Sequence, residues 1–218
     1  WSASFFCLIF RVMNQQEQFL EAFKKYLPSG AVEYCYSLWQ EKPFNFYITK
    51  GRLTKLGDFR YRKDRKLQTI SINHDLNPYQ FLITFVHEVA HYRAFENHGF
   101  NIKPHGAEWK MTFRKLMIPL LNDKVFPKEI QIALSRHLKN PKASTGADLF
   151  LSKTVKAFDS KTQTGKVFLA DLPKGEIFEL QGRKFQKDHT KRTRVLCEEV
   201  QTGKKYLISA HAEVKKLD

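Results

Sequence analysis

The 218-residue chain is poor in cysteine, in long apolar runs and in acid. Its three cysteines, Cys7, Cys35 and Cys197, stand far apart and form no Cys-x-x-Cys pair. That excludes a disulfide framework and a cysteine-built zinc site, and it fits a reducing, cytoplasmic setting, nucleoid association included. The apolar run Phe5-Phe6-Cys7-Leu8-Ile9-Phe10 is too short to span a membrane, and no basic region precedes it. No membrane partner is expected. Met13 opens a clean amphipathic pattern, so residues 1–12 are expected to be a translated leader ahead of a start at Met13, with a secretory signal as the alternative. Internal repeats and low-complexity tracts are lacking too.

Acid is scarce against base: 22 Asp and Glu face 37 Lys and Arg, a net charge of +15. With a pI near 9.7, the chain favours polyanionic partners, and nucleic acid is the commonest of these. Solubility alone is the plain alternative. A hydrophobic share of 42% suffices for a core, and the mean hydropathy of −0.47 suits a soluble protein.

What is present begins with two helical stripes. Phe19, Leu20, Phe23 and Leu27 precede Pro28, and Tyr34, Leu38 and Trp39 lie in a second helix from Ala31 to Gln40. Three strand-like segments follow, at 44–49, 57–62 and 67–72, with a turn at Lys63-Asp64-Arg65. They predict a small antiparallel sheet. Lys50, Arg52, Lys55, Arg60, Arg62, Lys63, Arg65 and Lys66 face only Asp58 and Asp64 in this stretch. They make a candidate surface for nucleic-acid phosphates, or else a solvated edge strand whose charge prevents aggregation.

The next segment carries the chemistry. Asn77 suits a helix N-cap, Pro78 the first helical position, Gln80 a capping box and Gly99 a C-terminal stop. Within that helix stands His87-Glu88-Val89-Ala90-His91, a His-Glu-x-x-His motif. Residues four apart share a helix face, so His87 and His91 can offer two imidazoles to one zinc ion, with Glu88 placed to handle a proton. Leu82, Phe85, Val86 and Val89 are expected to form the buried face and the histidines to point away from it, into a cleft. A catalytic zinc needs a third protein ligand. His98 would require the helix to break, and the elongated form of the motif would need a histidine where Asn97 stands. Glu108 opens another helix beside Trp109. His105 lies in a Pro-His-Gly loop, where Gly106 allows close approach and a turn can aim the imidazole back, and it is the preferred candidate.

Beyond Asn140 the pattern becomes β-like, with strands expected at 166–170, 176–180, 183–187, 193–200 and 204–208. Arg183, Lys184, Lys187, Lys191, Arg192 and Arg194 cluster there near Phe185. They form a second candidate nucleic-acid surface, with a structural cap or protein-interaction module as the alternative.

Leu56-Gly57, Ile70-x-Ile72-x-x-x-Leu76, the His-Glu-x-x-His motif and Pro104-His105-Gly106-x-x-Trp109 together resemble the SprT/Spartan metallopeptidase family. The likeness extends from about Met13 to about Lys139. It implies one zinc per chain on His87, His91 and His105, with Glu88 as catalytic base. It also implies a fold similar to minimal zincins, a protein or peptide substrate and, from the eukaryotic members, proteolysis of DNA-crosslinked proteins with DNA as partner. Many relatives carry a cysteine zinc ribbon after the core; here that region holds only Cys197. The expected architecture is therefore α+β. A zincin-like core, helices around a small antiparallel sheet, occupies residues 13–140, followed by a linker at 141–147 and a small basic all-β module at 148–218. The competing functions are a zinc endopeptidase, a non-proteolytic zinc-stabilised DNA-associated protein, and a peptidase on ordinary soluble peptides.

Overall fold

The computed structural model of the chain describes residues 15–52, 55–143, 147–159 and 166–217. The expected leader, residues 1–12, and the start at Met13 lie outside them, as do residues 144–146 of the expected linker. The chain divides into two compact units, one ending at Gln131 and the other beginning at Ile132. Among the described residues, no helix is long and apolar enough to cross a membrane.

In the first unit, α1 (Gln15–Tyr26) and α2 (Val32–Glu41) bury the stripes that their spacing predicts. Phe19, Phe23, Leu38 and Trp39 are all core. Phe19 stacks on Trp39 with centroids 4.3 Å apart, and the Trp39 indole N–H donates to the Phe44 carbonyl. Strands β1 (Asn45–Thr49), β2 (Gly57–Arg60) and β3 (Thr69–Asn73) follow. The sheet order is β1-β3-β2. Here the expectation of an antiparallel sheet needs correcting, because the sheet is mixed: β2 and β3 form an antiparallel hairpin, while β1 runs parallel to β3. Ile70, Ser71, Ile72 and Asn73 of β3 are all buried, so both of its faces are covered and it takes the centre. The chain leaves β1, crosses to the far edge for β2 and returns through the middle. Alternation in sequence reports a strand but not its neighbour.

Helix α3 (Pro78–His98) begins as its signals predict. The Asn77 side chain accepts the Gln80 N–H at 2.9 Å, Pro78 is the first helical residue, and Gly99 at φ 71° caps the end. Its surroundings differ from the expected amphipathic arrangement. Besides Leu82, Phe85, Val86 and Val89, the buried set includes Phe81, Ile83, Thr84, Glu88, Ala90, Tyr92 and Ala94. The helix packs against α1, β2, β3 and α4 (Ala107–Met117), so it has almost no solvent face. Phe85 alone meets Phe23 at 5.0 Å, Phe46 at 5.9 Å and Phe44 at 6.2 Å.

Helix α5 (Lys128–Lys139) spans the division between the units. The stretch expected to be all-β opens instead with a helix, α6 (Leu149–Lys156). Asp148 caps it by accepting the Leu151 N–H, and Leu151, Ser152 and Val155 form its buried side. Lys153 and Lys156 reach from it to Asp171 and Glu213. Six antiparallel strands follow: β4 (Lys166–Phe168), β5 (Ile177–Leu180), β6 (Arg183–Lys191), β7 (Arg194–Glu199), β8 (Lys205–Ser209) and β9 (Glu213–Lys216). Their order is β4-β9-β5-β6-β7-β8. Strand β9 escapes sequence reading because Val214 is its single apolar residue, yet it is wholly buried between β4 and β5. Leu169, Phe178, Phe185, Val195, Cys197 and Val214 form the core.

Lys187 is no part of a basic surface. It is only 6% exposed, and its ammonium donates to the carbonyls of Leu169 (2.9 Å), Ala170 (3.0 Å) and Leu172 (2.5 Å). Three backbone carbonyls close on one cation. Lys187→Met is therefore expected to destabilise this unit by about 3 kcal/mol, since it strands those acceptors. Lys191→Met on the exposed hairpin should cost under about 0.5 kcal/mol. Urea unfolding of the two variants checks the contrast, and equal stabilities would refute it.

Candidate metal centre

The geometry of the centre follows from three local structures. On α3, the four-residue spacing sets His87 and His91 one turn apart, with ring centroids 4.9 Å apart. After α3, a turn closes with the Gly106 N–H on the Lys103 carbonyl at 2.8 Å. Pro104 holds its second position, and His105 its third at φ 60°, the left-handed conformation a type II turn demands there. A non-glycine residue gives up about 1–2 kcal/mol in that region. The turn aims the imidazole back at α3. Gly106 must lack a side chain, since a Cβ would stand 2.9 Å from the Lys103 carbonyl oxygen.

The third structure is the first turn of α4, which supplies Trp109. Its ring lies 4.6, 5.3 and 4.7 Å from those of His87, His91 and His105. Its indole N–H donates to the His87 carbonyl at 3.4 Å, and Phe113 stacks on it at 5.1 Å. Trp109 is 1% exposed and braces all three imidazoles at once.

The three Nε2 atoms converge at 3.1 Å (His87–His91), 2.9 Å (His91–His105) and 3.2 Å (His87–His105). Burial, with His105 close by, pushes His91 down to about 4, and burial lowers His105 as well. Both rings are then neutral near pH 7, the form that binds metal. Each Nε2 of a neutral ring carries either a proton or a lone pair. With two states and three mutual contacts, at least one contact sets like against like. A cation that accepts all three lone pairs removes that conflict. Four-coordinate zinc at about 2.0–2.1 Å from nitrogen sets its ligand atoms roughly 3.3 Å apart, close to this triangle. The donor set fits zinc. Among the described residues, it is the one group of metal-ligating side chains whose atoms converge in this way. His98 and Glu108, the other candidates for third ligand, stand outside it, and His98 is exposed.

Glu88 is 7% exposed. Burial raises its carboxyl to about 8, and Asp58 pushes the same way. The Phe59 N–H, which donates to the carboxylate, and the charges of Arg52 and Lys55 act in the opposite direction. Sequence reasoning missed these neighbours, because β2 meets α3 only through the fold.

The expected basic surface separates into working parts. Arg52 is committed to β3, with its Nε donating to Asn73 Oδ1 at 2.7 Å and Nη1 to Ser71 Oγ at 3.2 Å. Arg60 pairs with Asp58, and Arg62 grips Asp64 through two bonds of 3.0 and 2.8 Å. Lys50, Lys63, Arg65 and Lys66 are exposed. In the second unit, Arg183 donates to Glu199 at 2.6 Å and lies over the rings of Phe185 and Tyr206. Lys184, Lys191, Arg192 and Arg194 are exposed, the last three at the β6–β7 hairpin tip.

Compared with known proteins, residues 17–138 match the model of the SprT-like family, which is more than half of the chain. No curated protein and no solved structure matches it.

Trp109→Ala is expected to cost about 3–5 kcal/mol of stability in the first unit. Where the variant is folded, zinc affinity should fall about 10–100-fold although every ligand remains. Thermal unfolding and chelator competition, with His105→Ala as the ligand-loss control, measure both. Wild-type zinc affinity in Trp109→Ala would contradict the bracing role.

Proposed function

The chain belongs to the SprT-like family, and on that premise we propose that it is a zinc-dependent endopeptidase acting on proteins bound or crosslinked to DNA. The carrying observation is the convergence of three imidazole nitrogens on a helix that also buries Glu88. Three protein ligands leave a tetrahedral ion one open position, the mark of a catalytic rather than a structural site. The core is read as minimal zincin-like.

Zinc bound there supplies Lewis acidity, which brings the pKa of water toward neutrality and polarises a carbonyl. The protein's own groups do the rest. His87, His91 and His105 hold the ion through Nε2, and Trp109 keeps their rings in place. The Glu88 carboxylate takes the proton of the attacking water and hands it to the leaving amine nitrogen. Burial holds Glu88 above the usual carboxylate range, which makes it a stronger base once a bound cation favours its ionised form. Strand β2 is an edge of its sheet and packs on α3. An extended peptide can therefore add to it as a further strand.

One feature of the second unit favours a polyanionic partner. Two cross-strand pairs of its sheet set opposite charges face to face, Glu179 with Lys184 and Glu198 with Lys205, while Lys166 faces Lys215. At the β6–β7 tip, Lys191 faces Arg194, and Arg192 joins them in the turn. Like charges directly opposed weaken a hairpin, and an anion between them reverses the sign. The phosphates of DNA supply such anions.

Cleavage of a DNA-binding protein should be abolished by Glu88→Gln, while zinc stoichiometry stays at one. It should rise when single-stranded DNA is added. Activity surviving in Glu88→Gln would sink the mechanism, and indifference to DNA would sink the substrate class alone. Replacing Lys191, Arg192 and Arg194 with Ala should weaken DNA binding, most strongly at low salt. The slope of log affinity against log salt should then fall by about 0.7 per lost contact on a single strand. An unchanged slope would remove the hairpin from the interface.

A further inference from the structure

Gly99, Gly175, Gly182 and Gly203 are glycines for conformation: each has positive φ, and an added Cβ meets nothing within 4 Å. Gly57 is the reverse case. It is an ordinary residue of β2, but a Cβ there would stand 2.7 Å from Glu88 Oε1, 2.9 Å from Glu88 Cγ and 2.6 Å from Thr84 Cγ2. Carbon does not sit so close to atoms it is not bonded to, so both neighbours would have to give, and the question is which gives more easily. Thr84 is poorly placed to yield. It is buried and β-branched, and its hydroxyl donates to the Gln80 carbonyl at 2.7 Å. The carboxylate of Glu88 is the movable end.

The hydrogen bonding of β2 points the same way. The Asn73 N–H donates to the Leu56 carbonyl, and the register pairs Asp58 with Ser71 and Arg60 with Thr69. In an antiparallel ladder, alternate residues turn their backbone groups away from the partner strand. Gly57 and Phe59 are therefore the residues whose N–H groups leave β3, and the Phe59 N–H donates to the Glu88 carboxylate. A bare backbone at 57 and a donor at 59 meet the same side chain.

We infer that the β2 backbone from Gly57 to Phe59 is the seat that positions the Glu88 carboxylate, and that Gly57 is glycine so that the carboxylate can reach it. This rests on Glu88 being the general base. Gly57 touches no reacting atom; it acts through Glu88.

The test compares wild type, Glu88→Gln, Gly57→Ala and the double variant Gly57→Ala, Thr84→Ser. Each is a zinc-loaded full chain cleaving a DNA-binding protein with single-stranded DNA present, and zinc affinity is measured by chelator competition. Gly57→Ala is expected to lower kcat about 100-fold, the scale of a misplaced catalytic group. KM and zinc affinity should stay within about threefold of wild type, because neither depends on Glu88. Thr84→Ser should not restore the rate. Near-normal turnover in Gly57→Ala beside an inactive Glu88→Gln overturns the seat and leaves the base standing. An active Glu88→Gln overturns the base, and the seat with it. Rescue by Thr84→Ser, or zinc affinity falling as far as kcat, assigns Gly57 to helix–strand spacing and also overturns the seat.

The metal-free protein gives a second readout. Gly57→Ala should lower Tm in the wild-type background and less in a Glu88→Ala background, where one of its two clash partners is gone. If Gly57→Ala folds only when combined with Glu88→Ala, the seat is supported in its strongest form. Equal losses in both backgrounds overturn it.

Discussion

Burial of α3 on almost every side is the constraint on which the first unit depends. A helix packed on nearly every side leaves few of its polar groups to water, and a buried polar group without a partner costs about 1–3 kcal/mol. This helix carries a buried carboxyl and two half-buried imidazoles. Each is met by a different element. The Phe59 N–H of β2 meets Glu88, Trp109 of α4 underlies the histidine rings, and the turn at 103–106 delivers His105. The aromatic cluster of Phe23, Phe44, Phe46 and Phe85 closes the remaining side. Sheet, turn and second helix thus serve as the solvation shell of one helix. That is why elements far apart in sequence converge on a short motif.

Whatever depends on local chemistry can be read along the chain. The ends of α3 follow from Asn77, Pro78 and Gly99, the paired histidines from helical period, and His105 from a Pro-His-Gly turn. What depends on remote neighbours cannot. Nothing in residues 45–49 says that β1 will run parallel to β3, because that orientation is fixed by β2 taking the opposite edge. The apolar spacing of α3 suggests one buried face, since a periodic pattern cannot report how many elements will surround it. Gly57 reads as a plain strand glycine until Glu88 is seen beneath it.

Charge shows the same limit, with one exception. Counting treats Arg52, Arg183 and Lys187 as free cations, yet each is committed to a partner, Arg52 to β3, the exposed Arg183 to Glu199 and the buried Lys187 to three carbonyls. For Lys187 the signal was present. It lies two residues from Phe185 on the same strand, and alternate residues share a face. Phe185 is core, so Lys187 points inward as well. A net charge of +15 therefore overstates what is free to meet a polyanion. Part of what is available lies at the β6–β7 tip, where Lys191 faces Arg194.

The same reasoning favours the proposed catalytic reading over mere metal-based stability. A site that only pinned α3 to the turn at 103–106 would gain nothing from a carboxyl beside it. Burying that carboxyl is unfavourable, as its upward shift to about 8 shows, and an apolar residue of similar size would usually be neutral or stabilising there. Space is also made for it, at the expense of a side chain at Gly57. A turn with a histidine in the left-handed region adds a second local cost. That turn is what holding an ion requires, since it delivers His105, but the buried carboxyl and the space made for it are not, and they make sense if Glu88 must act on a water molecule beside the centre.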